Sequence, residues 1–131
     1  SEAYNLFLSG EADMVLSYTT SPAYHVIAED DHRFTAAKFD AGHYTQIEVA
    51  GILASSPNIE LAQDFLAWLV TPEAQAVIPT TNWMYPVIEP EGGIEEGFDA
   101  MIDPSPALLL DADAVTANTR AWIDEAFSAL R

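Results

Sequence analysis

Apolar residues along this chain change their period several times, and each change marks an element. Ala3, Leu6 and Phe7 share one face of a helix predicted over Glu2 to Ser9, and Gly10 is placed to end it in a left-handed conformation. Met14 to Tyr18 is a short apolar run behind the polar Glu11–Asp13 turn, and it reads as a buried strand. Ser21-Pro22 then signals a helix start, with Ser21 as N-cap and Pro22 at the first helical position, running to about Glu29. Glu29-Asp30-Asp31 closes that helix. Carboxylates there oppose the helix dipole, so they are expected to be well solvated.

Phe34 to Phe39 reads as a second strand, followed by an Asp40-Ala41-Gly42 turn. His43 to Ser55 is a long extended run in which Ile47, Val49, Gly51 and Leu53 alternate with Gln46, Glu48, Ala50 and Ile52. Its second half is apolar on both faces, which suits a central strand covered by helices. Ile59, Ala62, Phe65, Leu66 and Leu69 recur at helical spacing after a candidate N-cap, Asn58, and predict a helix to about Val70. Thr71-Pro72 starts another short helix to Val77, Pro79 stops it, and Thr80 to Val87 is expected to be irregular. Past the Glu89–Gly93 connector, Ile94 to Met101 holds one or two helical turns, and Pro104 and Pro106 interrupt regular structure. A last helix follows Asp111, with Val115, Trp122, Ile123, Ala126, Phe127 and Leu130 on one face, so that Trp122, like Trp68, is expected in a core. Strands alternating with helices make the class α/β. Three or four strands are few for a complete sheet, and the polar, aromatic loops lack a facing surface.

Composition narrows the partners. The 131 residues suffice for one domain and half of them are hydrophobic, which excludes a disordered segment. Twenty-one acidic residues against 4 basic give a formal charge of -17. Such a surface repels nucleic acid and anionic membranes and attracts cations; a solvated, salt-adapted surface accounts for it equally well. No apolar run approaches the roughly 20 residues of a membrane span. The absence of cysteine removes disulfides, thiolate nucleophiles and cysteine-based zinc sites. The chain begins Ser1-Glu2-Ala3 with no leader-like segment, and is expected to be a processed protein or an excised fragment.

Two loops carry candidate chemistry. Tyr18-Thr19-Thr20-Ser21, with Tyr24, puts hydroxyls and two rings at a strand-to-helix junction, where α/β sheets commonly hold small ligands. A strand–turn–helix with Thr and Ser is common, and simple capping is the more frequent role of such hydroxyls. Asn82-Trp83-Met84-Tyr85 lies in a proline-bounded segment where no periodic core position accounts for Trp83. Aromatic loops in so acidic a chain suit a cationic ligand, since a cation over Trp or Tyr gains roughly 0.5–2 kcal/mol. Catalytic signatures are absent: there is no nucleophile elbow, phosphate-binding glycine loop or zincin motif. His25, His32 and His43 are scattered, and are read as satisfied or exposed rather than as metal ligands. Asp111, Asp113, Glu95 and Glu96 lack the apolar surroundings that raise a carboxyl pKa for acid catalysis.

These residues carry a resemblance. Gly10 to His25, Gly42 to Ala50 and Ile78 to Val87 resemble, in order and at similar spacing, segments of the periplasmic thiamine-binding proteins. The similarity is specific from Ser1 to about Val87 and looser to the C-terminal helix. It implies the C-terminal lobe of a type II periplasmic-binding-protein clamshell, which closes on its ligand about a hinge. Residues 10–87 would then bear the pocket and residues 88–131 a connector and helix. The implied function is the substrate-binding component of an ABC importer for thiamine and its phosphates, exported to the periplasm and docking on an inner-membrane permease, with no cofactor, no catalytic residue and no bound metal.

By the same resemblance Tyr18 and Tyr24 match the family's pocket tyrosines and Trp83 its pocket tryptophan, with Thr19, Thr20, Ser21 and Asn82 as polar neighbours. Thr81 departs from the pattern, since a glycine is expected before the Asn-Trp pair. The chain covers less than half of such a protein, so a dimer formed through its uncovered surface is a further expectation. Three alternatives stand beside this reading. One is a clamshell for another small cation, polyamine, metal or anion. Another is a thiamine-processing enzyme of similar fold, which needs a nucleophile absent from this chain. The last is an interaction module in which Tyr18, Tyr24 and Trp83 only pack.

Overall fold

Local signals built the helices almost where the periodicity put them. The computed structural model describes residues 1–129 and divides into two compact units, 1–37 with 49–103, and 38–48 with the residues from Pro104 onward. In the first unit, α1 spans Glu2–Leu8, capped by the Ser1 hydroxyl, which accepts from the Tyr4 N–H. Gly10 ends it at φ 79°, and the Gly10 and Glu11 N–H groups donate to the Phe7 and Leu6 carbonyls, satisfying the frayed end. α2 spans Ser21–Glu29, but its N-cap is Thr20, so Ser21 and Pro22 are its first two residues. Asp30 closes it in the left-handed region at φ 52°.

The acidic turn after α2 is not simply solvated. Asp31 forms a fork with Arg33, Oδ2 lying 2.6 Å from Nη2, and accepts the Arg33 backbone N–H. These bonds hold its carboxyl down to about 2, well below the ordinary 3.8, and raise the guanidinium in turn.

α3 covers Ile59–Leu69 and α4 covers Pro72–Gln75, the Thr71 hydroxyl capping the latter. Pro79 does not stop the chain. It sits in the first turn of α5, Ile78–Asn82, where a missing N–H costs nothing. A single 3-10 turn at Glu96–Phe98 replaces the one or two turns expected near it. Gly97 approaches Ile27 so closely that a β-carbon would collide with that side chain, which fastens the turn to α2.

Buried side chains in this unit are few: Ala23, Ala74 and Phe98 are apolar, Thr20, His25 and Gln75 polar, and Pro22, Pro79 and Pro90 complete the set. Tyr85 meets Phe98 edge-on at 5.6 Å, and burial raises its phenol pKa. Gln75 is a clamp. Its Nε2 donates to the Leu69 carbonyl and its Oε1 accepts the Val87 N–H, both at 2.8 Å.

The second unit holds the one β-pair among the described residues. β1, His43–Tyr44, pairs in parallel with β2, Ala107–Leu108, in register His43 to Ala107. Gly42, at φ 99°, lets the backbone pass the Pro106 carbonyl, where any β-carbon would clash. α6, Ala112–Ala129, starts on Asp111, whose Oδ1 accepts the Ala114 N–H at 2.9 Å. Leu130, expected on its apolar face, lies outside the described residues.

The strands differ most from expectation. Met14–Tyr18 and Phe34–Phe39 form none, and only the first two residues of His43–Ser55 pair. Strand pattern without an adjacent strand makes no ladder, and the residues that would face a core stay bare: Leu16 is 100% exposed and Val49 90%. Trp68 and Trp122, expected in a core, are likewise exposed.

Candidate functional site

The junction before α2 folds through its own hydroxyls. The Tyr18 carbonyl accepts the Ser21 N–H at 3.0 Å, closing the turn that carries Thr19 and Thr20. Ser21 Oγ accepts the Tyr18 N–H at 3.2 Å and meets Ser17 Oγ at 2.7 Å, so its hydroxyl ties the loop to the helix start rather than serving as N-cap. Thr20 is buried, its carbonyl accepts the Ala23 N–H, and its Oγ1 has no hydrogen-bond partner among the described residues. Such a hydroxyl costs free energy until something satisfies it. Tyr18 is exposed and Thr19 half-buried.

Tyr24 stands one turn into α2, and its ring meets Trp83 edge-on, centroids 5.1 Å apart and planes at 83°. That contact unites the two candidate loops. Trp83 is the residue that ends α5, held in the left-handed region at φ 55° and ψ 39°. Bulky side chains rarely adopt that conformation, and outliers of this kind concentrate at functional sites. Asn82, directly before it, is the last residue of α5. Thr81 lies within α5, its hydroxyl donating to the Val77 carbonyl, so a side chain is accommodated where the family pattern suggested glycine.

Behind Tyr24 lies a residue whose part the sequence did not disclose. His25 is only 2% exposed and meets Tyr24, Tyr4 and Phe34 with its ring. Its Nδ1 lies 2.6 Å from Glu29 and its Nε2 lies 2.8 Å from the Tyr4 hydroxyl. The satisfied histidine expected from the sequence is thus present, with both nitrogens partnered. The Glu29 carboxylate also acts on the Tyr24 phenol and raises its pKa. The i,i+4 spacing of His25 and Glu29 was a legible signal for the pair; Tyr4, from a different helix, was not. No group of three or more metal-ligating side chains occurs among the described residues, and no helix there is long and apolar enough to cross a membrane.

Two aromatic rings brought together from α2 and the end of α5 form a surface that can hold a flat small ligand. Residues 1–76 match the model for bacterial extracellular solute-binding proteins, and the chain belongs to that family. It is 49% identical over 125 residues to the thiamine-binding periplasmic protein of Salmonella typhimurium and 50% identical to that of Escherichia coli. In each case 95% of this chain is covered and 38% of the relative, so the chain spans well under half the length of these proteins. An iron uptake protein of Synechocystis is 33% identical over 89 residues. A solved periplasmic thiamin-binding protein superposes with a TM-score of 0.86 at 49% identity, again over 95% of this chain and 38% of that one. The fold is therefore that of a periplasmic binding protein.

Proposed function

We propose that this chain supplies one wall of a thiamine site in the substrate-binding component of an ABC importer. The observation that carries this reading is the Tyr24–Trp83 contact at 5.1 Å. Thiamine joins a flat pyrimidine to a permanently cationic thiazolium. Exposed aromatic faces in a chain of charge -17 suit such a ligand on two counts, stacking and cation–π attraction. A bare metal ion or sulfate would need clustered carboxylates or cations instead of rings. Tyr18 is the third ring of the proposed site, and Thr19, Thr20, Ser21 and Asn82 its polar contacts. The unpartnered Thr20 hydroxyl supports that part.

The ligand is bound and released unchanged, without cofactor, in the periplasm, and passed to a membrane permease. Most of the ligand's surface is covered by a second lobe, so the isolated 131 residues bind weakly and tend to self-associate through apolar surface that lobe would cover. Isothermal titration decides. Thiamine should give saturable heat with the two-lobed protein and little with this chain alone. Silence from the two-lobed protein, with saturable heat from a polyamine or anion, would overturn the reading, and micromolar binding by the isolated chain would refute the shared site.

A further inference from the structure

We infer that His25 is a positioning residue for the proposed aromatic site: wedged under Tyr24, it fixes the ring that Trp83 packs against. The inference rests on the thiamine reading for its ligand, but its geometry stands within the first unit alone. Tyr24 is exposed at a helix surface, where a tyrosine ordinarily samples several rotamers. Here one edge of it is closed by Trp83 at 5.1 Å and another by His25 at 5.3 Å, so the ring is held between a loop tryptophan and a buried imidazole.

The imidazole is in turn over-determined. Tyr4 lies parallel to it, planes within 1°, and Phe34 is tilted against it at 4.5 Å. Phe7 backs both of those rings, at 5.9 Å from Tyr4 and 5.3 Å from Phe34. Glu29 Oε2 lies 2.6 Å from Nδ1 and the Tyr4 hydroxyl 2.8 Å from Nε2, so both ring nitrogens are held by hydrogen bonds. The His25 carbonyl also receives the Asp31 N–H at 2.9 Å, closing the end of α2 beneath it. Packing and two directional bonds leave the imidazole one orientation, and that orientation is transmitted to Tyr24. Supporting residues of this kind set how well a binding ring is preorganised, and looseness behind a site weakens binding without removing any contact residue.

Acrylamide quenching of Trp83 tests this without any ligand. Trp68→Phe with Trp122→Phe leaves Trp83 as the single tryptophan of the chain. In that background His25→Phe keeps a ring but loses both nitrogens, and Tyr4→Phe keeps the ring stacked on the imidazole while removing only the hydroxyl at Nε2, without touching Tyr24 or Trp83. Both should raise Trp83 quenching with helical circular dichroism unchanged, and His25→Asn, which can still donate to Glu29, should partly restore it. In the two-lobed protein Tyr4→Phe should weaken thiamine about tenfold, the scale of one lost aromatic contact. Trp83 quenching unaltered by Tyr4→Phe would overturn the inference, whether or not His25→Phe folds. If the parent fails to bind thiamine, the ligand assignment falls, while quenching still decides whether His25 positions Tyr24.

Discussion

Trp83 combines a left-handed backbone with a ring of the proposed site. A left-handed residue with a β-carbon costs roughly 1–2 kcal/mol relative to glycine, and helices ordinarily end on glycine for that reason. Here a tryptophan takes the position, at φ 55°, and its ring reaches Tyr24. One pair of variants should therefore separate stability from binding. Trp83→Gly and Trp83→Ala lose the same ring, but only the first relieves the backbone. Trp83→Gly should be more stable than Trp83→Ala by about 1 kcal/mol in urea unfolding. Neither should bind thiamine with the parent's affinity once both lobes are present. Equal unfolding midpoints for the two would show that the left-handed conformation at 83 is not what the sequence there must satisfy.

At the scale of elements, the short helices depend on side chains that tie one to another. Gln75, buried at the end of α4, joins the Leu69 carbonyl at the end of α3 to the Val87 N–H beyond α5. Gln75→Leu keeps the volume and leaves both backbone groups unpaired, which should cost about 2 kcal/mol. A midpoint within a few tenths of a kcal/mol of the parent would mean that water replaces the clamp. Nothing in the sequence marked Gln75, because its role is set by partners 6 and 12 residues away. The helices were legible because caps and periodicity are local: Gly10, Thr71-Pro72 and Asp111 each act within a turn of themselves. The reading of Pro79 as a stop failed because proline in a first turn is as favourable as proline after a last one. The strands were legible only as pattern. Val49 and Leu53 alternate as a strand should, yet a strand is defined by its neighbour, and no neighbour lies beside them among the described residues. The site shows the same division. Tyr24 and Trp83 stood out as loop aromatics, whereas His25 acquires its part from Tyr4 and Phe34, which only folding brings to it.

For the molecule as a whole, charge and apolar exposure pull against each other. A net charge of -17 on 131 residues drives copies of the chain apart, while Met14, Leu16, Val49 and Leu53, all in extended segments of the first unit, expose apolar side chains. Which effect wins depends on ionic strength. At about 0.01 M salt the screening length is roughly 30 Å and repulsion reaches across the whole contact; at about 1 M it shrinks to roughly 3 Å while apolar burial keeps its strength. The isolated chain should therefore sediment as a monomer in low salt and associate as salt is added, the reverse of an assembly held by ion pairs. Replacing Val49 and Leu53 together by lysine puts charge on the segment, lowers the net negative charge by two, and should nevertheless reduce association in high salt. That outcome separates the two forces, because a change acting through net charge alone would promote association. If added salt dissociates the chain, or the double substitution strengthens self-association, then the extended segments are not the surface involved. Suppression by the two lysines would identify residues 49–53 as surface that binds another polypeptide, the property a second lobe would use.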